Sequence, residues 1–354
     1  MLQQNQVTER LSIRYPLIQA PMLGPTTPEM AAAVSNAGGL GSLPVGGLSP
    51  ERTRALIRAT RALTDKPFAV NLFVHSIPPG PEPQVLQAMQ QLLERTATAH
   101  GITIPAQGTA PFQFYTYKDQ VAILIEEQVQ IVSFTFGIPD PESIRAMQQH
   151  GIVLIGTATC AEEAVLLEQQ GIDMVTAQGI EAGGHRGTFI EDGPLPRIGL
   201  MALIPSILEK VRIPLIAAGG ISNGAAIKAA MNLGADGVQL GTAFLACPES
   251  AAIPSYKAAL PHTSDRDTTL TKAFSGRWAR GLRNELMDII EQSGLTIPPY
   301  PYQNTLTTAF RASAQQLDLK GMTNLWAGQR AAAAEKLPAA QIFRKLVEEW
   351  TAAQ

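Results

Sequence analysis

Cysteine is almost missing from this chain: Cys160 and Cys247 are the two present, far apart in sequence. That spacing excludes a disulfide framework, offers no metal-ligand pattern and agrees with a reducing compartment. Charge is also sparse. Asp, Glu, Lys and Arg make up 16% of the residues, the net charge is −3, and no long basic run occurs. Binding to a phosphate backbone needs clustered Lys and Arg, so nucleic acid is excluded as a partner. No apolar run reaches the roughly 18 residues of a membrane span. The segment Met1 to Arg10 lacks the charged-then-apolar form of a signal peptide. Together these absences predict a soluble, cytoplasmic protein with no membrane partner. No Gly-x-Gly-x-x-Gly follows the first apolar run, so the dinucleotide fingerprint is absent too. No linker marks off a second folded domain, and nothing repeats beyond a strand–helix alternation.

What the chain does have is apolar material, 45% of 354 residues, enough for an α/β barrel, whose core runs to roughly 250 residues, with additions. Short apolar runs recur at Leu17–Met22, Gly41–Val45, Phe68–Phe73, Ile131–Thr135, Val153–Gly156, Met174–Gln178, Pro214–Gly219 and Gly237–Gly241. Helical patterns intervene, among them Pro28–Asn36, Pro50–Leu63 with Ser49 as N-cap, Pro141–His150, Ala161–Gln170 and Gly224–Leu233. Continuous apolar strands suit a parallel sheet buried on both faces, and eight strand–helix units predict a closed (β/α)8 TIM barrel. An open doubly wound sheet is the alternative. The expectation is one domain over 1–354. It carries an insertion at about 76–128, with helices at Pro83–His100 and Lys118–Glu127, and a helical C-terminal extension from about 247 that wraps the barrel mouth.

In such a barrel the strand ends and the loops after them form the active face. The unusual residues fall there. Asn71 and Gln178 are amides in apolar strands, and a buried amide needs a partner, either backbone or the polar edge of a flavin ring. The stretches Ala218-Gly-Gly-Ile-Ser-Asn-Gly224 and Gly237-Val-Gln-Leu-Gly-Thr242 end consecutive strands. They read either as two tight turns or, jointly, as a clamp for one phosphate, where glycine lets backbone approach the anion. One phosphate without a dinucleotide motif favours FMN over FAD or NAD. His185 follows Glu181-Ala-Gly-Gly184 on the loop after the sixth strand, positioned to take a proton near neutral pH. His100 and His150 precede glycines at helix ends. His75 lies just past the third strand without a glycine setting, and Glu181 reads as a residue that shapes the loop or as exposed surface.

Gln19-Ala-Pro-Met22, Gln178-Gly-Ile-Glu-Ala-Gly-Gly-His-Arg-Gly187, Ala217-Ala-Gly-Gly-Ile221, Gly237-Val-Gln-Leu-Gly-Thr-Ala-Phe244 and Lys272-Ala-Phe-Ser-Gly-Arg-Trp-Ala-Arg-Gly281 together resemble the nitronate monooxygenase family. The wider flavoprotein group also contains enoyl reductases and quinone reductases. Pro299-Tyr-Pro-Tyr-Gln-Asn304 resembles class I of the family. The resemblance implies noncovalent FMN contacted by Met22, Asn71, Gln178, Gly183, Gly184, Gly219, Gly220, Gln239, Leu240, Gly241 and Thr242. It implies His185 as the catalytic residue, and a small-molecule nitronate, propionate 3-nitronate, oxidised with molecular oxygen. Tyr300 and Tyr302 are expected either to line the substrate pocket or to pack the C-terminal wrap. An NAD(P)H-dependent reductase of an enoyl thioester or quinone, and a flavin-binding barrel without catalysis, are the competing functions.

Overall fold

The computed structural model describes residues 5–105, 112–190 and 193–353. Eight parallel strands form one sheet: β1 (Leu17–Gln19), β2 (Gly41–Pro44), β3 (Phe68–Phe73), β4 (Ile131–Thr135), β5 (Val153–Ala158), β6 (Met174–Gln178), β7 (Leu215–Ala218) and β8 (Gly237–Leu240). Each lies within or overlaps one of the apolar runs. Pairing proceeds from β2 through β3, β4, β5, β6, β7 and β8 to β1. The ring closes where Gln19 donates its N–H to the Leu40 carbonyl (2.9 Å) and Leu40 donates to the Leu17 carbonyl (3.1 Å). The fold is a TIM barrel.

Alternation along each strand produces two cores. Leu17, Val70, Val132, Leu154, Val175 and Leu215 pack with the surrounding helices. Their chain neighbours Ile18, Ala69, Ile131, Ile155, Met174 and Ile216 form a second cluster with Val7 and Leu11 of the helix Gln6–Leu11. Both faces of these six strands are therefore apolar, which is why their runs read as continuous. Helix starts follow local chemistry. Thr27, Ser49, Asp140 and Asn223 each accept a backbone N–H from the first turn of the helix they precede.

Two excursions modify the ring. Between β3 and β4 the helix Tyr117–Glu126 joins the ring, packing against helices Pro50–Arg61 and Pro141–Gln149. Helix Pro83–Ala99 instead packs against helix Tyr302–Gln316, with Met89, Leu93, Leu306 and Phe310 in an apolar cluster of their own. The connection from Ile102 to Thr116 between these two helices falls partly outside the described residues. After β8 the chain runs through residues 247–338 before the helix Ala339–Ala352 returns to pack against helices Gly224–Asn232 and Pro28–Asn36. That last helix fills the ring position between β8 and β1, on the outside of the barrel. A small antiparallel sheet of Thr268–Thr271, Ala279–Leu282 and Gly184–His185 lies against the loop after β6.

Candidate active site

The chain leaves β6 at Gln178 and crosses the mouth of the barrel as residues 179–187. Side chains of the segment itself pin it. The Gln178 amide donates to the His185 carbonyl (2.9 Å) and accepts from the Gly187 N–H (2.8 Å). Arg186 is fully buried and donates to the carbonyls of Gly179 (2.6 Å) and Gln178 (2.9 Å). The Glu181 carboxylate accepts the Leu200 N–H (2.9 Å) and so caps the helix Leu200–Leu208. Gly183 lies flat against Ala327 and Gly328, where a Cβ would collide with the Gly328 backbone nitrogen. His185 pairs in register with Ala279 of the small sheet. Its backbone is thereby held from both sides.

The imidazole stands in an aromatic box. Ring centroids of Trp326, Phe136, Phe73 and Tyr300 lie 5.4, 5.5, 6.3 and 6.4 Å away. Nε2 sits 2.8 Å from the hydroxyl of Ser275. Phe136, just past β4, holds φ at 81°, a left-handed conformation uncommon for a bulky residue. Its ring carries the Arg277 guanidinium at 4.3 Å. His75 packs its ring against Tyr300 at 4.7 Å. The Arg311 guanidinium is bonded to neutral oxygens: Asn324 Oδ1 (2.7 Å), Asn304 Oδ1 (2.9 Å) and Thr307 Oγ1 (3.1 Å). No carboxylate pairs with it among the described residues.

These neighbours set the charge. Burial, reinforced by the positive fields of Arg277 and Arg311, pushes the His185 imidazole down to about 3, so the ring is neutral at ordinary pH. Burial pushes the Tyr300 phenol up to about 12 against the pull of the same two cations. His75 is lowered as well, by burial first and then by Arg277. The surroundings of His185 therefore combine an uncharged base, an un-ionised phenol and nearby guanidinium charge.

The glycine-rich strand ends adjoin this loop. Gly219 and Gly220 hold φ at 124° and 70°, and a Cβ on Gly219 would lie 3.1 Å from the Ala182 nitrogen. The backbone N–H groups of Gly220, Thr242 and Ala243 donate to no acceptor among the described residues. The helix that follows Gly220 is already satisfied: Gly224 donates to Glu349 (2.9 Å) and Ala226 to Asn223 (2.9 Å). An anion placed here would meet the Gly219–Ile221 and Gly241–Ala243 backbones, because the N-terminus of the helix behind them is capped by the protein's own Glu349 carboxylate. Thr242 accepts the Gly328 N–H (3.0 Å), which draws the segment Trp326–Arg330 across the same place. These free donors and side-chain-free backbones fit a phosphate. No group of His, Cys, Asp and Glu among the described residues is arranged to hold a metal ion.

The sequence model of nitronate monooxygenase matches residues 4–349. A nitronate monooxygenase of Pseudomonas aeruginosa PAO1 is 44% identical over 344 residues, spanning 97% of this chain and 98% of that protein. The chain belongs to the nitronate monooxygenase family. Among solved structures, a nitroalkane oxidase from Streptomyces ansochromogenes superposes with a TM-score of 0.86 at 37% identity, over 98% of both chains. FabK from Thermotoga maritima superposes at 0.77 with 31% identity, over 99% and 97%.

Within this nitronate monooxygenase-family fold, the residues singled out in the sequence are distributed unevenly. His185 and Tyr300 share the aromatic box. Tyr302 lies in a separate cluster, its ring 5.1 Å from Phe114 and 5.6 Å from Phe112 and its hydroxyl donating to the Pro78 carbonyl (3.2 Å). Asn71 donates to Ser133 Oγ (3.0 Å), its register neighbour on β4. Gln178 spends its amide on the loop backbone, as described. Met22 Sδ packs beside Gly241, where a Cβ would sit 3.5 Å from it, and Gln239 and Leu240 end β8 with the Gln239 side chain partly open. Sequence reasoning missed Ser275, Phe136, Arg277, Arg311 and Trp326 as neighbours of His185. Ser275 and Arg277 lie in the quoted family stretch Lys272–Gly281, so a signal existed for those two. Nothing local marks the other three.

Proposed function

We propose that this protein binds FMN and uses it to oxidise alkyl nitronates, with propionate 3-nitronate as substrate and molecular oxygen as the final acceptor. The observation that carries the reading is the neutral His185 beside the Arg311 guanidinium, whose hydrogen bonds go to neutral oxygens. A nitronate is an anion, and propionate 3-nitronate is a dianion. The Arg311 guanidinium, bonded to neutral oxygens, supplies a positive charge to complement it. A neutral nitroalkane needs one further step. His185 takes the carbon-bound proton, and the bonding pair moves into the nitro group, giving the nitronate. FMN, when bound, would supply the capacity to accept electrons from the nitronate and pass them to oxygen. The phosphate would rest on the Gly219–Ile221 and Gly241–Ala243 backbones. Phe73, Phe136, Tyr300 and Trp326 keep bulk water from the reacting carbon.

The likeness to FabK makes NAD(P)H-driven reduction the reading to test against. Anaerobic mixing of the purified yellow protein separates them. Propionate 3-nitronate should bleach the flavin quickly, while NADH and NADPH should leave it oxidised. Rapid bleaching by NADH with none by the nitronate overturns the assignment. Acid release and chromatography should yield FMN, and recovery of FAD would refute that part.

A further inference from the structure

We infer that Ser275 fixes the tautomer of His185, so that Nε2 carries the ring hydrogen and Nδ1 is the nitrogen that takes the substrate proton. The inference rests on the reading of His185 as a base and adds which atom acts and what holds it.

The argument is a count of hydrogens. Ser275 is buried, with 1% of its surface exposed. Its hydroxyl has three neighbours: Nε2 of His185 at 2.8 Å, the Arg277 carbonyl at 3.2 Å and the Arg277 N–H at 3.3 Å. A hydroxyl has one hydrogen and two acceptor lone pairs. A carbonyl only accepts and an N–H only donates. The Ser275 hydrogen directed at the Arg277 carbonyl leaves the two lone pairs for the Arg277 N–H and for a hydrogen on Nε2. All three contacts are then favourable. Directing it at Nε2 would set two oxygen lone pairs against each other at 3.2 Å.

The second ring nitrogen is placed for the chemistry. Nδ1 has no protein hydrogen-bond partner among the described residues, and it is not among the side-chain nitrogens sealed from solvent without one. Its lone pair is left free. Trp326 and Phe136 flank the ring and restrain its rotation. Proton transfer then breaks the substrate C–H bond and forms N–H at Nδ1, and the C–H pair moves onto the nitro group. The resulting imidazolium donates from Nε2 into the Ser275 hydroxyl and onward to the Arg277 carbonyl. Because Ser275 is neutral, it orients the ring without adding the negative charge that would keep it protonated. That suits a ring already held neutral by its surroundings.

Ser275 itself is positioned by its neighbour. Gly276 donates to the Lys272 carbonyl (2.8 Å) and holds φ at 79°, under the backbone of Pro298 to Tyr300. The turn that brings the hydroxyl to His185 is the same one that seats Tyr300.

Long-range proton–nitrogen NMR of the flavin-loaded protein, labelled at histidine, reads the tautomer directly. The His185 signals are identified by their loss in His185→Asn. The expected result is a protonated, pyrrole-type Nε2 and an unprotonated, pyridine-type Nδ1. Ser275→Ala should mix the two tautomers. It should lower kcat on a neutral nitroalkane by ~10-fold, the value of about one net hydrogen bond. Turnover of the preformed nitronate should change far less at equal flavin content, and Ser275→Thr should restore the pattern. A wild-type spectrum with the hydrogen on Nδ1 overturns the inference, as does a Ser275→Ala protein with unchanged tautomer and unchanged nitroalkane turnover. Should that variant fail to fold, the wild-type spectrum decides alone. A protein inactive on nitro compounds would still report its tautomer, so the two readings fail separately.

Discussion

A histidine in water gives up its proton near pH 6.5, whereas His185 is pushed down to about 3 by burial and then by Arg277 and Arg311. The consequence for activity has a definite sign. The folded ring stays unprotonated on the acid side of 6.5, so the base form is present across that range. For a neutral nitroalkane, kcat/KM should therefore stay flat between about pH 5 and pH 7, with no acid limb at the ordinary histidine value. A rate profile with an inflection near 6.5 would place the titrating base elsewhere. Stability follows the same shift. Between 6.5 and about 3 the unfolded chain binds a proton at His185 that the folded chain refuses, so this residue makes stability fall as pH falls through that window. Neither effect is visible in the residue type. Both come from its enclosure.

At the scale of elements, most of the architecture announces itself. Ser49, Thr27, Asp140 and Asn223 cap helices in the places where small polar residues precede apolar periodicity. Most strands are apolar on both faces because they lie between a helix layer and the barrel interior. The turn at Lys272–Gly276 is less evident, since its requirement comes from a chain segment far along the sequence. Gly276 combines a positive φ with backbone directly above it, where a Cβ would lie 2.7 Å from the Pro299 carbonyl carbon. Gly276→Ala should therefore cost ~1–3 kcal/mol, the usual penalty for strained backbone. Urea unfolding would measure it, and nitroalkane turnover should fall with it as Ser275 moves. A variant of unchanged stability and activity would show that the Pro298–Tyr300 segment yields freely.

For the whole molecule, the decisive feature is how the ring of helices is completed. The position after β8 is filled by Ala339–Ala352, which arrives after residues 247–338 have built much of the site's outer wall. Phe343 of that helix is 1% exposed and lies against Gly39, with its ring 6.0 Å from that of Tyr15. Glu349 reaches back to cap Gly224, at the start of the helix beside the Gly219–Gly220 loop. Phe343→Ala removes a large buried ring packed where the chain enters β1 and β2 and should cost ~3–5 kcal/mol, read from chemical denaturation. A loss below about 1 kcal/mol, within the range of surface substitutions, would mean that the last helix contributes little to the closed ring.

Contiguous signals determined the barrel, the loop bearing His185 and the paired glycine strand ends, because periodicity, caps and short glycine motifs act over a few neighbouring residues. Tertiary structure alone decided the rest. Ser275 meets His185 across 90 positions, and Tyr300, Arg311 and Trp326 approach the same cavity from still later segments. Tyr302, two residues from Tyr300, turns into another cluster because successive side chains on a turn and helix start point in different directions. The charge state of His185 and the place of the last helix depend on these long-range approaches. They exist only when distant parts of the chain pack together, so a local motif can flag a residue such as Tyr300 or Ser275 but not its distances or the charge state they set.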